Sequence, residues 1–221
     1  MDTTGESTLS IILDLVVLVA GLQVAARLRP VNRRFPIVAV VSTLVIGIPS
    51  LLQFAVPSIG AALSRQPSLE LQGQWWRILT AVMAQDGGLV GAIFNLVVVA
   101  VVVTLGERAW GRWRTVVLFL GPSVVLNLLA IAWNAPGGGS SFASDALLLS
   151  MCALGVLTLR RPLILICAGI AAAAGIVLVG ANDAHGVAML LGAVLGLGFG
   201  YGRRLSPARE VETSGGARAQ S

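Results

Sequence analysis

The chain has 221 residues, of which 56% are hydrophobic and 11% charged, and its mean hydropathy is +0.89. These values exclude a soluble globular domain and predict an all-α polytopic membrane protein, because several runs reach the roughly 20 apolar residues that cross a bilayer. The net charge of +5 comes from arginine alone, and the arginines lie in short segments between apolar runs. That placement favours topology signals over phosphate contacts, so no nucleic-acid partner is expected.

Seven transmembrane helices are predicted along the chain. They cover about 8–26, 36–56, 78–106, 115–133, 141–159, 162–179 and 183–201. The third begins with a weakly apolar segment and becomes a continuous span from Leu89. The first is interpreted as a span and not as a signal peptide, because no basic residue precedes it and no clear cleavage site follows. From Gly202 the composition predicts a disordered tail.

The arginines test this topology. Thirteen of the fifteen follow the first, third, fifth and seventh spans, and Arg65 and Arg77 alone lie in the alternate loops. Because basic residues concentrate on the cytoplasmic side, we expect the N-terminus outside and the C-terminus in the cytoplasm. The segment Pro136–Asp145 and the single histidine, His185, then lie at similar depths near the outer surface.

Pro136–Asp145 contains three successive glycines followed by serines at the start of a span. Glycines permit unusual backbone conformations and close approach. Ser140 or Ser141 can serve as a helix cap, or a serine can become a nucleophile if a neutral imidazole such as His185 lies within hydrogen-bond reach. His185 shares a helix face with Gly192 and Gly196, which predicts close packing of a neighbouring helix on that face.

Two further polar residues lie inside predicted spans. Asp145, one turn after Ser141, either orients His185 or makes another polar contact. Asn95 can donate a hydrogen bond to a developing oxyanion or join two helices. With one histidine and no Cys/His cluster, neither a metal site nor a cofactor is expected.

Short motifs of this chain resemble, in order, those of the rhomboid family of intramembrane serine proteases. They are Gly73–Thr80 with its Trp-Trp-Arg, Asn95, the Glu…Gly turn Glu107–Gly111, the Gly-x-Ser of Gly139–Ser141, and His185 followed by Gly192. The resemblance implies a six-helix core over 36–201, preceded by an extra helix and Arg-rich loop (1–35) and followed by a cytoplasmic tail (202–221).

The chain departs from the family pattern at several positions. Gly91 and Asp86 stand where the family has histidines, and Phe142 replaces the glycine after the nucleophile. The register is also open, because Ala143–Ala146 resembles the serine motif with Ser144 as nucleophile. We prefer Ser141, which keeps Gly139 two residues before it and lies at the helix start.

The resemblance implies a serine endopeptidase that cleaves in or near transmembrane segments. Ser141, or alternatively Ser144, would be the nucleophile, His185 the base, and Asn95 an oxyanion donor. Transmembrane proteins would be the substrates, and the bacterial plasma membrane the location. The alternative is a catalytically inactive rhomboid-like protein that binds transmembrane helices. A small transporter is disfavoured, since no internal repeat is found.

Overall fold

The structure, a computed structural model, describes residues 8–31 and 34–205. It contains helices and, within these residues, no β-strand. The helices are α1 (Thr8–Ala25), α2 (Ile37–Leu52), α3 (Pro57–Leu63), α4 (Pro67–Leu71), α5 (Arg77–Thr80), α6 (Gly88–Trp110), α7 (Arg112–Ala132), α8 (Ser141–Thr158), α9 (Pro162–Gly180) and α10 (Ala184–Leu205). A 3-10 turn, Ala81–Met83, follows α5.

Within residues 8–31 and 34–205, six helices are long and apolar enough to cross a membrane. They are α1, α6, α7, α8, α9 and α10. The prediction of an all-α protein with long apolar helices is therefore confirmed. The predicted division of the third span is confirmed as well, because the weakly apolar segment forms α5 and the 3-10 turn and the long helix α6 begins at Gly88.

The count of seven spans is not confirmed, because the segment predicted over 36–56 forms a helix of 16 residues, α2. Val56 leaves the helical conformation with φ −131° and ψ 87°, immediately before Pro57. The ring of a proline disfavours the helical conformation of the preceding residue, which explains why the turn that follows α2 ends at Val56.

The predicted tail also begins later than expected, because α10 continues past Gly202 to Leu205. The rest of that prediction, residues 206–221, lies outside the described residues. So does the N-terminal segment before Thr8.

Helix α8 is the centre of the bundle. Inside the protein, 78% of its span is buried, against 22–44% for the other five long helices. It packs against α1, α6, α7, α9 and α10. The outer helices instead expose large aliphatic side chains, as a surface in contact with lipid requires.

The closest helix contact joins α10 to α8 through glycine. A Cβ at Gly192 would overlap the carbonyl oxygen of Ala146, and one at Gly196 would lie 2.6 Å from Ser150 Cα. The predicted close packing on the His185 face of this helix is therefore confirmed. This contact brings the backbones of α8 and α10 together within about three turns of the residues at which the two helices begin.

Helix α2 has no side-chain cap from its own N-cap residue. Glu107, near the end of α6, supplies one, because its Oε2 accepts the backbone N–H groups of Val38 at 2.8 Å and Ala39 at 3.3 Å. Near the other end, Ser50 donates to the carbonyl oxygen of Met83 at 2.7 Å. Both ends of α2 are thus tied to the chain around α6.

A glycine-to-alanine pair on α10 tests the helix contact. Gly192→Ala should lower the free energy of unfolding by about 1–3 kcal/mol, because the new methyl group overlaps the α8 backbone. Gly198→Ala is the matched control, since its Cβ meets no atom within 4 Å, and it should raise that free energy by about 0.5–1 kcal/mol. Thermal unfolding in detergent measures both; equal effects would contradict the contact.

Candidate active site

Three glycines shape the loop before α8. Gly137 and Gly139, with φ of +132° and +144°, adopt a backbone conformation that favours glycine. A Cβ on Gly138 would lie 2.7 Å from both the carbonyl oxygen of Ala81 and the Cβ of Ala84. The glycine loop, Gly137–Gly139, therefore fits closely against the segment around the 3-10 turn.

Arg65 holds the glycine loop from the side of α3 and α4. Its backbone exchanges two hydrogen bonds with Gly137, of 2.8 and 3.1 Å. Its buried guanidinium donates to the carbonyl oxygen of Ala135 at 2.7 Å and to Asn127 Oδ1. Burial lowers the pKa of Arg65, although nearby carboxylates oppose that effect. These contacts satisfy carbonyl groups of the loop that would otherwise be left without partners.

The segment before α6 holds the same loop from the other side. The exposed Asp86 accepts the Gly138 N–H at 3.0 Å, and the Ala81 carbonyl oxygen accepts the Gly139 N–H at 2.9 Å. Asp86, which stands in place of a family histidine, thus contacts loop backbone. A Cβ added at Gly91, the other such position, would meet no atom within 4 Å.

Ser141 and His185 meet at the starts of α8 and α10. Ser141 Oγ lies 2.9 Å from His185 Nε2. Neither Ser140 nor Ser141 is used as a side-chain cap, because no side-chain cap bond forms at the α8 N-terminus. The expected contact between a serine of this segment and His185 is therefore made by Ser141. His185 is 7% exposed, so its imidazole is largely shielded from solvent.

Asp183 completes a line of three side chains. Its Oδ1 lies 2.7 Å from His185 Nδ1 and accepts the His185 backbone N–H at 2.9 Å. Since a carboxylate accepts hydrogen bonds, Nδ1 carries the ring proton and Nε2 is left to accept the Ser141 hydroxyl. Asp183 therefore sets the tautomer that a general base needs.

The charge of Asp183 is maintained by its partners. Burial raises the pKa of the Asp183 carboxyl, but its hydrogen bonds with the side chain and backbone of His185 and with Ser10 of α1 outweigh that effect. The pKa consequently lies well below its usual range. Ser10 is itself buried, so the extra N-terminal helix contributes directly to this site.

Asp183 is a residue of this site that was not predicted from the sequence. The available signal was an aspartate immediately before a predicted span and two residues before the only histidine. An aspartate at an N-cap already has a local explanation, since its side chain accepts the N–H two residues on. That explanation holds here, and the same oxygen also contacts the imidazole.

The other predicted residues lie nearby with different contacts. Ser144 Oγ is buried and has no hydrogen-bond partner, so Ser144 makes no hydrogen bond with His185. Asp145 is near enough to His185 to act on it through space, but Ser141 and Asp183 take both ring nitrogens. The proposed orienting contact of Asp145 is thus made by Asp183. Phe142 packs its ring edge-on against the imidazole, with centroids 4.5 Å apart.

Asn95 is connected to the start of α8 through a second residue. It donates from Nδ2 to Gln85 Oε1 at 2.8 Å, and Gln85 Nε2 donates to Ser140 Oγ at 3.3 Å. The oxyanion role of Asn95 stays a prediction. Gln85, which is 6% exposed, was not predicted as a site residue. The residues on either side of it in the sequence, Ala84 and Asp86, do not indicate a buried polar contact at this position.

The arrangement fits general-base activation of a serine hydroxyl. An imidazole that accepts from Ser141 and donates to a carboxylate can take the serine proton and stabilise the resulting positive charge. Comparison with known proteins adds no assignment, since no protein-family model and no curated protein matches the chain. Function must therefore be inferred from this geometry and from the motifs.

A pH series tests the charge on Asp183. Because its folded pKa is lowered, the stability that it contributes is present above the usual aspartate pKa of about 3.9 and is lost as the pH falls further. Asp183→Asn keeps a helix cap but not the charge, so it should unfold about 1–2 kcal/mol more easily at neutral pH.

The measurement is detergent thermal unfolding of wild type and Asp183→Asn from neutral pH to pH 3. The difference between the two proteins should be constant at neutral pH and shrink as acid is added. A difference that is the same at every pH would show that Asp183 acts without its charge.

Proposed function

We propose that this chain is an intramembrane serine endopeptidase with Ser141 as nucleophile, His185 as general base and Asp183 as its orienting partner. The observation that supports it is the continuous line Ser141 Oγ–His185 Nε2–Nδ1–Asp183 Oδ1, with contacts of 2.9 and 2.7 Å. The line joins the starts of two apolar helices, and the rhomboid-like motifs contain Ser141 and His185 in the expected order.

The chemistry follows from the proton positions. Ser141 Oγ forms a bond to the carbonyl carbon of the substrate while its proton passes to His185 Nε2. The carbonyl π electrons move to oxygen and return as the C–N bond breaks, and His185 gives its proton to the leaving amine. Water then attacks the acyl-enzyme through the same base, which releases the acid and returns a proton to Ser141.

The start of α8 supports the oxyanion of this reaction. The N–H groups of Ser141 and Phe142 precede the first hydrogen bond of the helix, from Ser144 N–H to the Ser140 carbonyl oxygen. Such N–H groups and the helix dipole favour negative charge. Asn95 is the side-chain donor that the family resemblance implies.

The proposed topology has seven membrane crossings, with α2 as the short one and the site at the outer side. Helix α2 has 16 residues and is followed by a further turn, in which the Val56 N–H donates to the Leu52 carbonyl oxygen at 2.8 Å. The arginine asymmetry supports a cytoplasmic C-terminus. The bacterial plasma membrane is the proposed location. Lipid and transmembrane protein substrates are the expected partners.

Reporter fusions test that orientation. A fluorescent protein fused to the C-terminus should fold and fluoresce in the cytoplasm, whereas alkaline phosphatase fused at the same residue should be inactive. Phosphatase activity without fluorescence would reverse the orientation. The same two reporters fused at the N-terminus are the control and should give the opposite results, with active phosphatase and no fluorescence.

One observation favours the alternative, a catalytically inactive rhomboid-like protein that binds transmembrane helices. The Phe142 ring covers one side of His185, and a cleft of about 340 Å³ lies elsewhere, between the end of α2, α3 and the segment Ala84–Asp86. A substrate must displace Phe142 to reach the imidazole from that side. The alternative predicts a serine that never reacts.

Fluorophosphonate labelling of the purified protein in detergent decides between the two. Wild type should be labelled, and Ser141→Ala and His185→Ala should not. Ser144→Ala is the matched control, one turn further along the same helix, and should label like wild type. Labelling lost in Ser144→Ala alone would identify Ser144 as the nucleophile. A folded wild type that is not labelled would favour the inactive protein that binds transmembrane helices.

A further inference from the structure

Gln85 lies at the centre of a hydrogen-bond chain that ends next to the proposed nucleophile. Asn95 Nδ2 donates to Gln85 Oε1 at 2.8 Å, and Gln85 Nε2 donates to Ser140 Oγ at 3.3 Å. Ser140 immediately precedes Ser141. The chain therefore links α6 to the residue beside the nucleophile through one buried amide.

Asn95 determines which way the Gln85 amide faces. A side-chain amide has one acceptor end and one donor end. Because Asn95 donates to Gln85 Oε1, the NH₂ group of Gln85 must face the opposite direction, toward the start of α8. An N–H donor is thereby directed at Ser140, the residue before Ser141, before any substrate binds, as electrostatic stabilisation of a transition state requires.

The backbone of Gln85 is fixed as well. Gln53 of the α2 C-terminal turn accepts the Gln85 N–H at 3.3 Å and donates to the Gln85 carbonyl oxygen at 3.0 Å. The bond between Gly139 N–H and Ala81 joins the same segment to the glycine loop. The position of the Gln85 amide relative to Ser141 is therefore set by contacts on both sides.

The bond from Gln85 to Ser140 is the weak one in this chain. Its 3.3 Å length exceeds the usual range for N–H···O, about 2.7–3.2 Å. Hydrogen bonds to a charged acceptor are shorter and roughly twice as strong. An oxyanion formed on the carbon bonded to Ser141 Oγ would therefore be a better acceptor than the neutral Ser140 hydroxyl.

We propose that Gln85 is the side-chain donor of the oxyanion site, exchanging its bond to Ser140 for one to the oxyanion. Asn95 is then a positioning residue that holds the Gln85 amide. The proposal rests on the proposed serine protease function. The resemblance to rhomboid motifs implies that Asn95 donates directly to the oxyanion. We assign that hydrogen bond to Gln85, which lies outside those motifs.

The experiment measures phosphonylation by a fluorophosphonate, in which the Ser141 Oγ–P bond forms, fluoride leaves and the serine proton passes to His185. Gln85→Met keeps the size of the side chain without its amide. It should lower the maximal rate of labelling, kinact, by about 10²–10³, the usual effect of one lost oxyanion donor, and leave the half-saturating probe concentration unchanged.

Two further variants separate a donor from a structural contact. Asn95→Asp removes the donor to Gln85 Oε1, so the Gln85 amide should turn its NH₂ toward the new carboxylate, and kinact should fall as in Gln85→Met. Ser140→Ala removes the resting partner of Gln85 but leaves the donor in place. It should label at the wild-type rate.

The outcomes are distinct. Equal losses in all three variants, or a Gln85→Met variant that labels like wild type, would overturn the donor assignment while leaving the proposed protease intact. A folded wild type that does not label at all would overturn the proposed function, and the donor assignment with it. Thermal unfolding of each variant confirms that the rates compare folded proteins.

Discussion

The backbone contact between α8 and α10 determines the rest of the site. Because Gly192 and Gly196 have no side chains, α10 lies directly on the α8 backbone at Ala146 and Ser150. Ser141 and His185 are the first or second residues of these two helices, so the helix spacing fixes the spacing of their side chains. Any larger residue at the contact would separate the helices and the hydrogen-bonded pair together.

The site is assembled from three segments that each come from the start of a helix. Ser141 begins α8, His185 follows the first residue of α10, and Gln85 lies just before α6. Helix N-termini present N–H groups and a partial positive charge. The three helix starts lie at the same end of the bundle, so this end stabilises a negative charge. The Asp183 carboxylate is one such charge. The same field favours an oxyanion on a group bonded to Ser141.

Much of this arrangement was predictable from sequence, and the limits have physical causes. Long apolar runs and the arginine pattern define the six long helices, and the helical period aligns His185 with its glycines. Asp183 was missed because its role as a helix cap explains it locally. Gln85 was missed because two of its partners, Gln53 and Ser140, lie 32 and 55 residues away along the chain, and only the folded chain brings them together. Pro57 takes Val56 out of the helical conformation, which is a local effect that hydropathy does not register.

Helix α2 connects the outer surface of the bundle to the candidate site. It exposes aliphatic side chains such as Val41, Leu44 and Ile48. Its 16 residues span about 24 Å at 1.5 Å per residue, less than the roughly 30 Å of a typical hydrocarbon core. In the proposed topology α2 crosses the bilayer, and a span this short thins the bilayer around it. Gln53, just beyond the end of α2, exchanges hydrogen bonds with the backbone of Gln85. The thinned region of that topology therefore borders the segment that contacts the start of α8.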